Sequence, residues 1–163
     1  MGSFSLDMTR IIAKTEAQLD QVGRKVALTG YRRIILRTPV RTGRARGNWL
    51  CAVGAPVEAT PDLAAVNDTD RSGRSTVATM QGEVEGWSPR TGRSIFLSNN
   101  LPYIGRLEHG SSTQAPNGMV AITLAELGGI AEDAAAEAQT GTFGGSRSES
   151  EIGGAWDVGG AGE

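Results

Sequence analysis

The feature that most constrains this chain is an apolar stripe near its N-terminus, cut off by a proline. Met8, Ile12, Thr15, Leu19, Val22 and Val26 recur at spacings of 4, 3, 4, 3 and 4, which puts them on one face of a helix. Ser5 is placed to cap that helix, and Asp7 falls in its first turn, where the macrodipole favours a carboxylate. The stripe broadens at Ile34, Ile35 and Leu36. Pro39 disfavours helical geometry at Thr38. The helix should therefore end near Arg37 after about 33 residues, a length of about 50 Å. Gly23 and Gly30 weaken it without destroying its phase; the alternative is two helices broken near one of these glycines.

A helix of that length needs other elements to cover its apolar face, and the rest of the chain supplies short ones. Residues 49–53 are apolar and lie between glycines, which predicts a strand. Residues 55–69 hold two prolines and no period, which predicts a loop. Ser72 is placed to cap a second helix, whose face is Val77, Met80, Val84 and Trp87 at spacings of 3, 4 and 3, and which Pro89 stops. Residues 94–98 are a second strand. Pro102 opens a short helix reaching His109 and ended by Gly110. Residues 116–139 form a last helix, with Met119, Ile122, Leu127 and Ile130 apolar. The fold class is α+β: a long N-terminal helix and further helices packed on a small β-sheet, in a domain spanning 1–140. Residues 141–163 are Gly- and Ser-rich and acidic, and are expected to form a flexible tail that cannot bury enough surface to order itself. Ile152, Trp156 and Val158 interrupt it, either as anchors that dock on a neighbour or as stray apolar residues in a solvated tail.

Hydrophobic residues make up 39% of the chain and aromatics 5%, so the core is modest. No run of about 18 apolar residues occurs, and no transmembrane helix is expected. The first residues lack a basic region followed by an apolar one, so no secretory signal is expected. Cys51 is the only cysteine, which excludes an internal disulfide and suits a reducing cytoplasm.

The net charge of −2 hides a strong polarity. Ten basic residues lie between Arg10 and Arg46, opposed only by Glu16 and Asp20, whereas from Ser111 onward Arg147 faces eight acids. Such asymmetry steers a polyanion to one end, or matches opposite faces of neighbouring subunits. A basic pattern also recurs: Arg41-Thr42-Gly43-Arg44, Arg71-Ser72-Gly73-Arg74 and Arg90-Thr91-Gly92-Arg93. Each reads as a tight turn with glycine in the permissive backbone position. Arginines beside such turns grip phosphates or carboxylates, or are simply solvated flanks.

Signatures of enzymes are missing. His109 is the sole histidine, which excludes multi-histidine metal sites, and one cysteine excludes a zinc finger. Neither lysine follows a glycine-rich loop, and no Gly-x-Ser-x-Gly elbow occurs. Asp68 to Gly73 opens like a calcium loop, but Thr79 stands where a bidentate glutamate belongs, so the stretch reads as a polar turn. Cys51 and His109 are a conceivable nucleophile and base, yet nothing in their flanks supports that pairing. No catalytic, metal-binding or cofactor-binding residue is assigned. A basic module gripping DNA phosphates competes as a reading, without a recognised reading helix or stacking platform.

Two stretches carry a family resemblance. "TPVRTGRARGNW", Thr38 to Trp49, follows the long helix as a stiff basic elbow. "NNLPYIGRLEHGSSTQAPNGMV", Asn99 to Val120, opens the final helix. Pro39, Val40, Thr42 and Gly43, then Tyr103, Glu108 and Gly110, then Ala115 and Pro116, together resemble the tail-completion, or head–tail joining, proteins of long-tailed bacteriophages. That family includes relatives of lambda's minor tail protein Z. The segment "GWSPRTGRSIFLSNNLPY" is similar to the family's approach to a strand, and the resemblance covers about residues 5–139. It implies a non-enzymatic structural protein of the virion, assembled in the host cytoplasm, at the neck between head and tail. The implied partners are further copies of itself in a ring, commonly a hexamer, together with the tail terminator, tail tube and head-connector proteins, and DNA passing through the lumen, with no membrane. Arg41, Arg44, Arg46, Arg90 and Arg93 are the candidate contacts to a subunit or DNA. Pro39 should halt the helix, Gly43 turn the chain, and Trp49 pin the elbow to the core. A tail terminator or another minor tail protein is the neighbouring alternative.

Overall fold

The computed structural model describes residues 2–59 and 71–140, with side chains described from Met8 onward. The loop expected over 60–69, the polar turn at Asp68 and Asp70, and the tail with Ile152, Trp156 and Val158 lie outside the described residues. The fold is α+β, as the periodicities indicate. In chain order it comprises α1 (Gly2–Arg37), α2 (Arg44–Gly47), β1 (Leu50–Val53), α3 (Arg74–Gly86), a 3-10 turn (Pro89–Thr91), β2 (Ile95–Ser98), α4 (Ile104–Glu108) and α5 (Val120–Thr140).

α1 is a single helix of 36 residues, about 54 Å long at the usual rise. It starts at Gly2, so Ser5 lies within the helix and not before it, against the capping role read from the sequence. The two glycines do not break it. A Cβ at Gly23 would sit 2.5 Å from Pro89 Cγ, and one at Gly30 would be 3.4 Å from a Leu127 methyl. They are the places where the 3-10 turn and α5 press closest to α1. The helix ends where Pro39 requires. The N–H of Thr38 closes the last turn onto the Ile34 carbonyl at 3.1 Å.

β1 and β2 pair antiparallel, with Leu50 opposite Ser98 and Val53 opposite Ile95. One two-stranded ribbon cannot stand alone in water, and here α1 and α3 back it. The core gathers Ile34 and Ile35 of α1, Trp49, Met80 and Val84 of α3, Ala115 and Met119, with Leu28, Tyr31, Cys51, Leu97 and Leu107 around them. The Tyr31 hydroxyl donates to the Ile95 carbonyl at 2.8 Å and ties helix to strand. Burial raises the Tyr31 hydroxyl to about 12, with help from Cys51 nearby.

α5 runs antiparallel to α1. Arg37 donates to Thr123 Oγ1 at 3.1 Å and Gln18 to the Ala138 carbonyl at 3.1 Å, at opposite ends of the contact. Ile130, Ala134 and Ala138 are buried at spacings of four. Small residues let the two helices approach. The basic excess of α1 finds its partners here: Lys25 pairs with Glu137, Arg33 with Glu126 at 2.5 Å, and Arg37 with Glu126 at 2.8 Å. Part of the charge polarity of the sequence is thus matched inside one chain, an outcome that both intermolecular readings missed.

Three element boundaries depart from the sequence reading. α3 begins at Arg74, with left-handed Gly73 at the cap position; the Ser72 hydroxyl accepts the Arg74 N–H at 3.2 Å from one residue further out. α4 begins at Ile104, so Pro102 precedes it in a turn. α5 begins at Val120 and not at Pro116, because Glu108, far earlier in the chain, supplies its cap.

The largest departure concerns the apolar stripe. Met8 is 42% exposed, Ile12 52%, Leu19 58% and Ile11, beside them, 58%. The C-terminal half of α1 packs on α3, α5 and the ribbon, while among the described residues nothing covers this face of the N-terminal part, which projects past the end of α5. Leu36 and Leu124 are also exposed.

Candidate functional site

The elbow after α1 is tied at both ends. Thr38 is fully buried, and its hydroxyl donates to the Ile34 carbonyl at 2.8 Å while accepting the Trp49 indole N–H at 2.8 Å. Trp49 therefore pins the far end of the elbow to the C-terminus of α1, as expected of it. Between these points the chain turns at Gly43, whose φ is +100°, a value that suits glycine. The other two arginine-flanked turns are built alike, with left-handed Gly73 and Gly92. The Thr42 hydroxyl accepts the Arg44 N–H at 3.3 Å and starts the single turn of α2.

The five candidate arginines have four different fates. Arg46 folds back under α1. Its guanidinium donates to the carbonyls of Leu36 at 2.7 Å, Thr38 at 2.9 Å and Arg71 at 2.7 Å. The Leu36 and Thr38 carbonyls lie at the C-terminus of α1, where a cation is favoured, and that of Arg71 in the turn before α3, so Arg46 holds the elbow together instead of projecting from it. Arg90 sits on the side of α1, 2.8 Å from Glu16 and 3.0 Å from Asp20. The Ser88 hydroxyl also donates to Asp20 at 2.7 Å. That bond, with Arg90 and Arg24 nearby, outweighs burial and lowers the Asp20 carboxyl. Arg93 reaches the Val53 carbonyl at 3.3 Å across the ribbon end. Only Arg41 and Arg44 line open space at the elbow.

That space is a cleft of about 730 Å³ whose second wall is the segment around α4. The Gln114 side-chain amide clasps the elbow like a strand partner. Its Oε1 accepts the Val40 N–H at 2.8 Å, and its Nε2 donates to the Val40 carbonyl at 3.2 Å. Tyr103, Leu107, Ser111 and Ser112 complete the lining. Arg44 Nε is buried there without a hydrogen-bond partner among the described residues. Arg41 is exposed at the rim.

Glu108 organises the floor behind this wall. Its carboxylate accepts the N–H groups of Met119 at 3.0 Å, Val120 at 3.0 Å and Ala121 at 2.8 Å. These are orphan donors at the start of α5, capped from a distant point in the chain. Burial pushes the Glu108 carboxyl up, but the three N–H groups, with His109 alongside, prevail and hold it below its ordinary value. Gly110 has a φ of +80°, and its bare Cα lets the Pro116 carbonyl approach closer than a Cβ would permit. Ala115 is buried in the core and Pro116 is exposed. The motif residues Pro39 to Gly43 and Tyr103 to Pro116, distant in sequence, thus meet at one end of the molecule. Gln114 makes the bridge, and the sequence reading gave it no role.

Cys51 and His109 do not form a reactive pair. The thiol lies half-buried in β1, where burial, with Glu83 nearby, pushes it up to about 11. An unactivated thiol at that value is mostly protonated at neutral pH. His109 Nδ1 lies 2.6 Å from the Gly105 carbonyl at the end of α4. Among the described residues no three metal-ligating side chains come together, and no helix is long and apolar enough to cross a membrane.

Compared with known protein families, with characterised proteins and with solved structures, the chain matches none.

Proposed function

We propose that this protein is a structural component of the phage head–tail interface, a ring-forming tail-completion or neck protein that joins tails to DNA-filled heads. The observation that carries this reading is the meeting of the two motif segments in one cleft. Pro39, Val40, Thr42 and Gly43 form one wall, and Tyr103 with the turn closed by Gly110 forms the other, clasped through Gln114 and Val40. Scattered motif residues that converge on one surface point to a shared task there, and the surface is built for contact more than for chemistry. It offers two arginines, hydroxyls and a tyrosine, without a paired acid and base. A ring needs head-to-tail contacts between unlike surfaces of one chain, and Arg41 and Arg44, which line this cleft, are placed to make them.

The arginine placements weigh against a free DNA-binding module. Arg33, Arg37, Lys25 and Arg90 are paired with carboxylates, and Arg24 and Arg46 with carbonyls at 2.5 to 3.3 Å. Five of the ten basic residues that suggested a phosphate grip, Arg24, Lys25, Arg33, Arg37 and Arg46, are thus engaged within the chain. Electron microscopy of particles assembled without the protein tests the proposal. DNA-filled heads beside full-length, unattached tails are the expected result. Tails of abnormal length would make it a terminator, and normal virions would overturn the structural reading.

A further inference from the structure

The uncovered face of α1 has one neighbour placed to cover it. Met8, Ile11, Ile12 and Leu19 are all more than 40% exposed. At about 100° per residue they share one flank of the helix, the flank that α5 covers further along. A contiguous apolar surface of this kind marks a contact site, unlike a single exposed leucine.

α5 stops at Thr140, beside this surface. Gln18 bonds the Ala138 carbonyl at 3.1 Å, and Lys14, Ala17, Gln18 and Gln21 border the same hollow as Gln139 and Thr140. Because α5 is antiparallel to α1, a chain that continues past Thr140 in the same direction runs along the projecting part of α1 toward Met8. The residues that follow carry what this face lacks: Phe143, Ile152, Trp156 and Val158 are apolar, and Glu149, Glu151 and Asp157 are acidic. Lys14 borders this flank, about 60° around the helix from Ile11. Reach is ample. Leu19 to Met8 is about 16 Å of helix, and Ile152 lies within about 40 Å of extended chain from Thr140.

We propose that the apolar face of Met8, Ile11, Ile12 and Leu19 is a docking site for the chain's own C-terminal segment, residues 143–158. The segment packs its apolar residues on the face and sets its acids beside Lys14. Covalent connection at Thr140 gives it a high effective concentration over any other occupant. This inference does not depend on the phage reading.

Amide hydrogen exchange on the full chain tests it, comparing the wild type with an Ile152→Ser, Trp156→Ser, Val158→Ser variant. None of these residues is among the core residues described, and α3 serves as an internal control for folding. Removing the cover should speed exchange across residues 8–19 by about tenfold or more, because an uncovered helix end opens more readily, while α3 is unchanged. Equal rates over 8–19 in the two chains would overturn the proposal. Carbodiimide cross-linking of a mixture of heavy- and light-isotope full chains reads the connectivity. A Lys14 bridge to Glu149, Glu151 or Asp157 within one copy supports docking on the same chain. A bridge only between heavy and light copies, or exchange protection that grows with protein concentration, would assign the face to a second copy instead.

Discussion

The two halves of α1 carry the same periodic signal and meet opposite environments. In the C-terminal half, Ile35 is fully buried, Ile34 is 7% exposed, and Arg33 and Arg37 are held by Glu126. In the N-terminal half, Ile12 and Leu19 keep the helical spacing but face solvent. The difference teaches that periodicity fixes which side of a helix is apolar but says nothing of what lies against it. Only the placement of α5, antiparallel and ending beside Gln18, decides where cover stops.

The sharpest way to break this comparison is a matched pair of truncations. Ile35→Ala leaves a cavity in the packed core and should cost about 2–5 kcal/mol. Ile12→Ala should cost less, about 1 kcal/mol, through lost contact with the docked C-terminal segment. Denaturant unfolding of both variants measures the contrast. No loss at Ile12 would contradict docking on this face. Next in size comes the elbow. Gly43→Val forces a β-branched residue into positive φ and should cost about 1–3 kcal/mol; an unaltered melting temperature would contradict the turn.

Arg46 and Arg41 separate structural from projecting arginines. Arg46→Ala strands the carbonyls of Leu36, Thr38 and Arg71 and should cost about 1–3 kcal/mol, whereas Arg41→Ala should leave the melting temperature within a degree or two. The smallest effect is in acid. The folded Glu108 carboxyl lies below its ordinary value of 4.5. The stability it contributes is therefore present above that value and lost as the pH falls through the lowered one. Glu108→Gln should flatten the decline in stability below about pH 4.5 and lower stability at neutral pH; an unchanged acid limb would contradict the capping role.

Much of the architecture was legible in the sequence because it depends on local chemistry. The end of α1 follows from Pro39, the three arginine-flanked turns from Gly43, Gly73 and Gly92, and the ribbon from two short apolar runs. What was not legible is long-range. Nothing near Val120 announces that the cap of α5 is Glu108, so the helix was placed at Pro116. Gly23 and Gly30 read as weak points because the sequence does not reveal Pro89 and Leu127 lying against them. Arg46 reads like Arg41 in the sequence, and only the carbonyls at the end of α1 set the two apart. Of the candidate site, the motif residues were nameable, but their meeting, and the part of Gln114 in it, is a property of the fold.

We have proposed that the elbow cleft is a contact surface of a phage neck. That proposal is tested most directly by an Arg41→Ala, Arg44→Ala variant, with its melting temperature measured alongside infectivity and particle morphology. The account predicts a folded chain, a melting temperature near that of the wild type, and DNA-filled heads that fail to acquire tails. Normal infectious particles from that folded variant would contradict it.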